Sequence, residues 1–132
     1  MTKTLINIFL IVSFACLAVV ITASFMAEAR FDAAERLVVS YMWKDAENRL
    51  GEAMKIDPYD SRYPARLGEF LFTQSTYKDN PIPLLKIAEE YYSRASALNP
   101  RCAEYFTKQG QINLSIFLEE PSNTGLIRRA FA

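Results

Sequence analysis

No feature constrains this chain more than its first 26 residues. From Leu5 to Met26 there is no charged residue, and the polar interruptions are Asn7 and small residues such as Ser13, Thr22 and Ser24. At about 1.5 Å rise per residue, some 22 helical residues span roughly 33 Å, enough to cross a hydrocarbon core of roughly 30 Å. The stretch predicts either a transmembrane anchor over residues 1–27 or a cleaved signal peptide. A signal h-region runs to about 7–15 residues, so length favours the anchor. Ala27-Glu28-Ala29 is a small-x-small pattern of the kind signal peptidase reads, which keeps cleavage after Ala29 as the alternative. Ser13-Phe14-Ala15-Cys16 is a poor lipoprotein signal: the aliphatic residue usual three places before such a cysteine is missing, and the cysteine sits mid-stretch.

Flanking cations set the expected orientation. Lys3 and the amino terminus precede the helix; after it, Glu28 and Asp32 dilute Arg30. This puts the N-terminus in the cytoplasm and the bulk of the chain outside, in the periplasm of a bacterial cell. No basic cluster flanks the helix, so no anionic-lipid docking patch is expected there.

Beyond the anchor there is room for one domain of roughly a hundred residues. The chain balances 15 basic against 15 acidic residues, which argues against nucleic acid as a partner. It has no histidine, so the commonest general base and the commonest zinc ligand are both missing. Cys16 lies in the apolar stretch and Cys102 far beyond it, so no internal disulfide is expected. The part after residue 27 is rich in Ala, Leu, Glu, Arg and Tyr and poor in Gly, which reads as helix throughout.

The chain also repeats itself. Ala46, Ala53, Ile56, Asp57 and Pro58 fall in register with Ala88, Ala95, Leu98, Asn99 and Pro100, and the register continues through Tyr63 with Tyr105 and Gly68 with Gly110. The offset of about 42 residues lies in the range of helical-pair solenoids. Each alanine pair is seven apart and shares a helix face, where small side chains let two helices approach; Leu50 and Tyr92 lie between them and fill the space. Asp57-Pro58 and Asn99-Pro100 stop the helices, because a residue before proline is pushed out of the helical region. Ser61 is expected to N-cap the next helix, with Pro64 in its first turn. Gly68 and Gly110 sit inside helices, where close helix contact would offset the cost of glycine of about 1 kcal/mol.

With these residues the chain resembles the tetratricopeptide repeat family. Trp43-Lys44-Asp45-Ala46, then Leu50, Ala53 and Pro58, is similar to the second helix of such a repeat, and Leu67-Gly68 is the family's usual pair in the next helix. The pattern then departs. An insertion of about eight residues around Ser75–Ile82 separates the helices of the second unit, Pro64 stands where the family prefers tryptophan, and Gln109-Gly110 replaces Leu-Gly. The resemblance covers residues 30–117.

The expected fold is therefore all-α: an N-terminal transmembrane helix followed by a short tetratricopeptide-like helical-hairpin solenoid of about five helices. The domains expected are 1–27, the repeats 28–118 and a C-terminal tail 119–132. The expected helices are 28–40, running on from the membrane helix, then 44–56, 61–74, 82–98 and 101–118, with an irregular tail over 122–132.

The resemblance implies a concave partner-binding surface made by Glu35 and Val38 in the first unit, Arg62, Ala65, Glu69 and Phe72 in the second, and Thr107, Gln111 and Leu114 in the third. Tyr91, Tyr92, Tyr105 and Phe106 are expected in the core, and Tyr41-Met42-Trp43 in a turn as core or interface. No catalytic, cofactor or metal site is expected. Glu89-Glu90 and Glu119-Glu120 are adjacent and do not share a helix face. Cys102, beside a helix start, has no histidine to activate it. The tail Leu126–Phe131 mixes cations with apolar residues; it docks on a partner or on anionic lipid in one reading and is a disordered end in the other.

Helical repeats bury their faces on neighbours and usually need at least three units, whereas about two and a half are visible here. The expected function follows. It is a non-enzymatic scaffold or accessory subunit, anchored in the inner membrane with its repeats in the periplasm, holding other proteins of a bacterial cell-envelope complex. Small residues on the anchor, such as Ala15, Ala18, Ala23 and Ser24, suit packing in a larger membrane complex. The alternative is a secreted protein, cleaved after Ala29, that self-assembles into an extracellular polymer through its repeat ends.

Overall fold

A computed structural model describes residues 2–40 and 42–120, and within these the chain is all-α. Five helices follow one another: α1 (Thr2–Val39), α2 (Trp43–Ile56), α3 (Arg62–Ser75), α4 (Ile82–Leu98) and α5 (Ala103–Glu119). The chain divides into two compact units, residues 1–58 and 59–132. Of the expected tail 119–132, Glu119 belongs to α5 and Glu120 is its C-cap, while 121–132 fall outside the described residues, as does Tyr41.

In the first unit the apolar stretch and the first repeat helix are one continuous α1. Its best 18-residue window has a mean hydropathy of 2.7 and none of it is buried, so this helix is long and apolar enough to span a membrane or to serve as a signal sequence. Phe9, Phe14 and Phe25 each expose more than two thirds of their surface. The Thr22 hydroxyl donates to the Ala18 carbonyl within the helix, so this polar group has its partner inside α1.

The C-terminal third of α1 packs on α2 as an antiparallel hairpin. The turn between them is closed by the Met42 N–H donating to the Leu37 carbonyl, which satisfies one of the free carbonyls at the helix end. On α1, Ala27 and Ala34 are fully buried and seven residues apart; on α2, Ala46, Leu50 and Ala53 are fully buried with the same period. Both faces are therefore seams of small residues, with Leu50 as the one large side chain filling α2's seam. Arg30 pairs with Glu52 at 3.4 Å, and Arg49 pairs with the same carboxylate at 3.0 Å, which holds the hairpin in register at its edge.

In the second unit α4 packs on both α3 and α5. The core side chains are Leu67 and Leu71 of α3, Leu85, Ala88, Tyr92 and Ala95 of α4, and Tyr105 and Ile112 of α5, all buried. The Tyr92 and Tyr105 rings sit 6.4 Å apart at 52°, a tilted aromatic pair that joins α4 to α5. Gly68 lets α3 meet α4 closely: a Cβ there would lie 3.1 Å from the Ala88 carbonyl oxygen.

The repeat is visible in backbone geometry. Asp57 ends α2 at φ −126°, ψ 89°, and Asn99 ends α4 at φ −135°, ψ 82°. Each donates its N–H to the alanine four back, Ala53 or Ala95, at 2.9 Å. The following proline excludes the helical conformation at both sites, so two segments 42 residues apart stop in the same way.

Three sequence expectations are corrected. Ser61 occupies the cap position of α3 but makes no capping bond. Its hydroxyl instead shares a 3.2 Å hydrogen bond with the Tyr105 hydroxyl, while Asp60 Oδ1 accepts the Arg62 N–H at 2.9 Å. Phe106 is not core: it is 51 % exposed, because it follows buried Tyr105 and adjacent residues on a helix point about 100° apart. Gly110 marks no close helix contact, since nothing lies within 4 Å of where its Cβ would be.

Candidate functional site

The partner-facing positions expected from the repeat fall on three helices. Glu35 and Val38 lie three apart on α1, on one face and both half-buried. Arg62, Ala65, Glu69 and Phe72 recur along α3 at intervals of three and four, which gathers them on one face; Thr107, Gln111 and Leu114 do the same on α5. Two of the expected stripes therefore lie in the second unit, one on α3 and one on α5.

Their chemistry is less open than the sequence implies. Arg62 is clamped by Asp60: its Nε lies 3.1 and 3.0 Å from the two carboxylate oxygens, and Nη2 lies 2.7 Å from Oδ2. The same guanidinium stands 5.8 Å from the centre of the Tyr63 ring. Burial works against ionisation of Asp60, but the hydrogen bonds from the Arg62 side chain and backbone and its positive charge outweigh it and hold the carboxyl below the usual carboxylate range. Glu69 pairs with Arg66 one turn earlier. The Thr107 hydroxyl donates to the Ala103 carbonyl at 3.1 Å. Ala65 departs from the expected lining because it is buried, beside buried Tyr63 and Pro64 in the first turn of α3. Gln111 and Leu114 are exposed and keep their side chains on the surface.

Phe72 leads to something the repeat pattern did not show. Together with Ser75, Thr76, Lys78, Asp79, Pro81 and Leu85 from the end of α3, the loop and the start of α4, and with Ser115 and Glu119 from α5, it lines an open cleft of about 220 Å³. The loop residues belong to the insertion that interrupts the repeat, so the insertion was the one sequence signal for this cleft. Ser115 and Glu119 carried none, because their position depends on how α5 packs. Small-molecule sites usually have about 300 Å³ or more of enclosed space; this one is open and smaller, with Lys78, Asp79 and Glu119 among its lining.

In the first unit, Leu37, Asp45, Asn48, Arg49 and Glu52 border a second shallow depression. Trp43 opens α2 half-buried and Met42 is exposed. Among the described residues, no cluster of three histidine, cysteine, aspartate or glutamate side chains could hold a metal ion. Cys102 sits at the start of α5, partly exposed and outside any disulfide. Burial pushes the Tyr92 phenol far above the usual tyrosine range, and the negative charges of Glu69 and Glu104 push the same way.

No protein-family model matches the chain, and no curated protein is significantly similar to it. The tetratricopeptide resemblance therefore rests on the residues that carry it.

Proposed function

We propose that this chain is a membrane-anchored helical-repeat protein, tetratricopeptide-like in design and non-enzymatic. It holds partner proteins in a bacterial cell-envelope complex on the periplasmic side of the inner membrane. The observation that carries this reading is the continuity of α1. One helix runs from the apolar stretch straight into the hairpin with α2, and Ala27 is fully buried there while Arg30 pairs with Glu52.

Cleavage after Ala29 would remove Ala27 from the hairpin seam and leave Arg30 as a frayed start. Burial of Ala27 in the seam supports the uncleaved helix, while Ala29 of the same pattern is exposed. An anchor rigidly joined to a repeat hairpin concentrates the domain in two dimensions and raises its effective concentration toward neighbours. The exposed Gln111 and Leu114, the cleft beside Phe72 and the half-buried Glu35 and Val38 are the proposed contact positions.

Two native thiols test the orientation. Cys102 lies in the part of the chain proposed to face the periplasm and Cys16 in the membrane span. A membrane-impermeant maleimide added to spheroplasts is expected to label Cys102 and spare Cys16. Labelling of Cys102 only after the membrane is opened would put the domain in the cytoplasm and overturn the orientation. Partner binding is tested by Gln111→Arg in the full-length protein. The expected result is loss of a defined complex on native gels of the detergent extract, with an unchanged melting temperature.

A further inference from the structure

One side of α5 is exposed, apolar and free of charge. Phe106, Leu114, Phe117 and Leu118 are each about half exposed, and Gly110 lies among them with open space where a Cβ would stand. At about 100° per residue, Ala103, Thr107 and Asn113 fall on the same side. All eight residues are exposed and none is charged, whereas Glu104, Lys108 and Glu119 of the same helix point away from Gly110.

The repeat shows what such a face does when it is covered. Pro64, Gly68 and Ser75 on α3 stand in register with Phe106, Gly110 and Phe117, and all three are buried. Over Gly68 lies a helix, α4, whose Tyr92 ring and Ala88 carbonyl come within 3.1 Å of the place a Cβ would take. On α3 the glycine thus receives a packed helix; on α5 no described element takes that place.

The α5 face is also its own complement. Reflected about Gly110, Phe106 falls on Leu114, Thr107 on Asn113 and Ala103 on Phe117: apolar on apolar, polar on polar, small on large. Two antiparallel copies of α5 related by a two-fold axis at Gly110 bring these residues opposite one another. Phe106, Gly110 and Leu114 form an i±4 row, the kind that interdigitates in the commonest class of helix packing. An uncharged face meets its own copy without like-charge repulsion, and it offers a charged partner no counter-charge. We propose that two copies of this chain pair through α5 in this antiparallel arrangement, with Gly110 at the crossing. The contact is the same patch on both copies and closes at a dimer. It rests on α5 and the internal repeat; only Leu114 is shared with the contacts proposed above, and purified protein tests it with no envelope partner present.

Register-specific oxidation tests the pairing. Full-length chains carrying Cys16→Ala and Cys102→Ala are made with either Phe106→Cys or Leu114→Cys and studied in detergent micelles. After mixing and mild oxidation, a disulfide dimer joining the two kinds of chain is expected, because the two positions are opposed. Neither chain alone is expected to cross-link. Its own positions lie eight residues apart along the paired helices, about 12 Å, whereas a disulfide needs Cα atoms within about 7 Å. A mixture that cross-links no better than either chain alone overturns the proposal.

Gly110→Arg is the second readout. Its Cβ meets nothing within the chain, so the fold of each copy is left intact, while two like charges are forced together at the crossing. Sedimentation of the full-length protein in micelles is expected to show a dimer, and Gly110→Arg is expected to weaken it about tenfold or more. The helix content of the variant stays unchanged. A monomer at every concentration overturns the proposal, as does growth beyond two copies. A dimer that withstands Gly110→Arg puts the contact on another surface, such as α1, and overturns it as well.

Discussion

Gly68 meets Tyr92 so closely that a Cβ on the glycine would lie 2.8 Å from Cδ2 of the ring and 3.0 Å from Cε2. The ring has little room to swing aside, because Tyr92 is buried in a tilted pair with Tyr105, and the Ala88 carbonyl also lies close to the added Cβ. Gly68→Ala is therefore expected to destabilise the protein by about 1–3 kcal/mol, as overpacked cores do, although alanine gains about 1 kcal/mol in helix propensity. Gly51 on α2 has nothing within 4 Å of its Cβ position. Gly51→Ala is expected to stabilise by about 0.5–1 kcal/mol. Thermal unfolding followed by circular dichroism separates the two signs.

The hairpin of α1 and α2 depends on side-chain size. Leu50→Ala opens a cavity in the seam and is expected to cost about 2–5 kcal/mol. Ala53→Leu forces extra volume between two helices whose facing residues are small, at about 1–3 kcal/mol. Denaturant unfolding in micelles checks both. A loss below about 0.5 kcal/mol for either would contradict the packing described for residues 27–56.

Asp60, not Ser61, holds the start of α3. Asp60→Ala removes the acceptor of the Arg62 N–H and the clamp on its guanidinium, and is expected to cost about 1–2 kcal/mol, the range of a lost helix cap. Ser61→Ala leaves that cap in place and is expected to cost less. Because the folded-state pKa of Asp60 is lowered, its contribution is present above the ordinary carboxylate range and is lost as pH falls through and below it. The acid limb of the melting temperature should flatten in Asp60→Asn.

Tyr92 sets the alkaline limb. Its folded-state pKa is raised by burial and by Glu69 and Glu104, so the folded protein holds the phenolic proton more tightly than the unfolded chain does. The contribution is full below the usual tyrosine value of about 10 and is lost progressively as pH rises above it. Melting temperature against pH is expected to fall above about pH 10, and Tyr92→Phe should blunt that fall. An equally steep fall in Tyr92→Phe would contradict the buried, neutral phenol.

Much of the fold was legible because it is written in local signals. Asp57-Pro58 and Asn99-Pro100 stop helices for a steric reason that needs no tertiary context, and the bounds of α2 and α4 fall where those prolines put them. The seven-residue alanine spacing named a seam before any partner was known. What stayed hidden depends on contacts between distant residues. Ser61 has the side chain of a helix cap, and only the approach of Tyr105 shows why its hydroxyl points elsewhere. Tyr105 and Phe106 are both aromatic, and only the packing of α5 on α4 decides which is buried. Gly68 and Gly110 read alike in sequence, yet one is pressed against α4 and the other faces open space. The cleft beside Phe72 joins the inserted loop to Ser115 and Glu119, a meeting that no local pattern encodes.

The most direct test of the proposed membrane anchor is the intact mass of the protein extracted from its native membrane with mild detergent. The expected mass includes residues 2–29, with the apolar helix still joined to the hairpin it builds with α2. A mass beginning at Arg30 would contradict it, separate Ala27 from the seam, and leave a secreted chain in place of an anchored one.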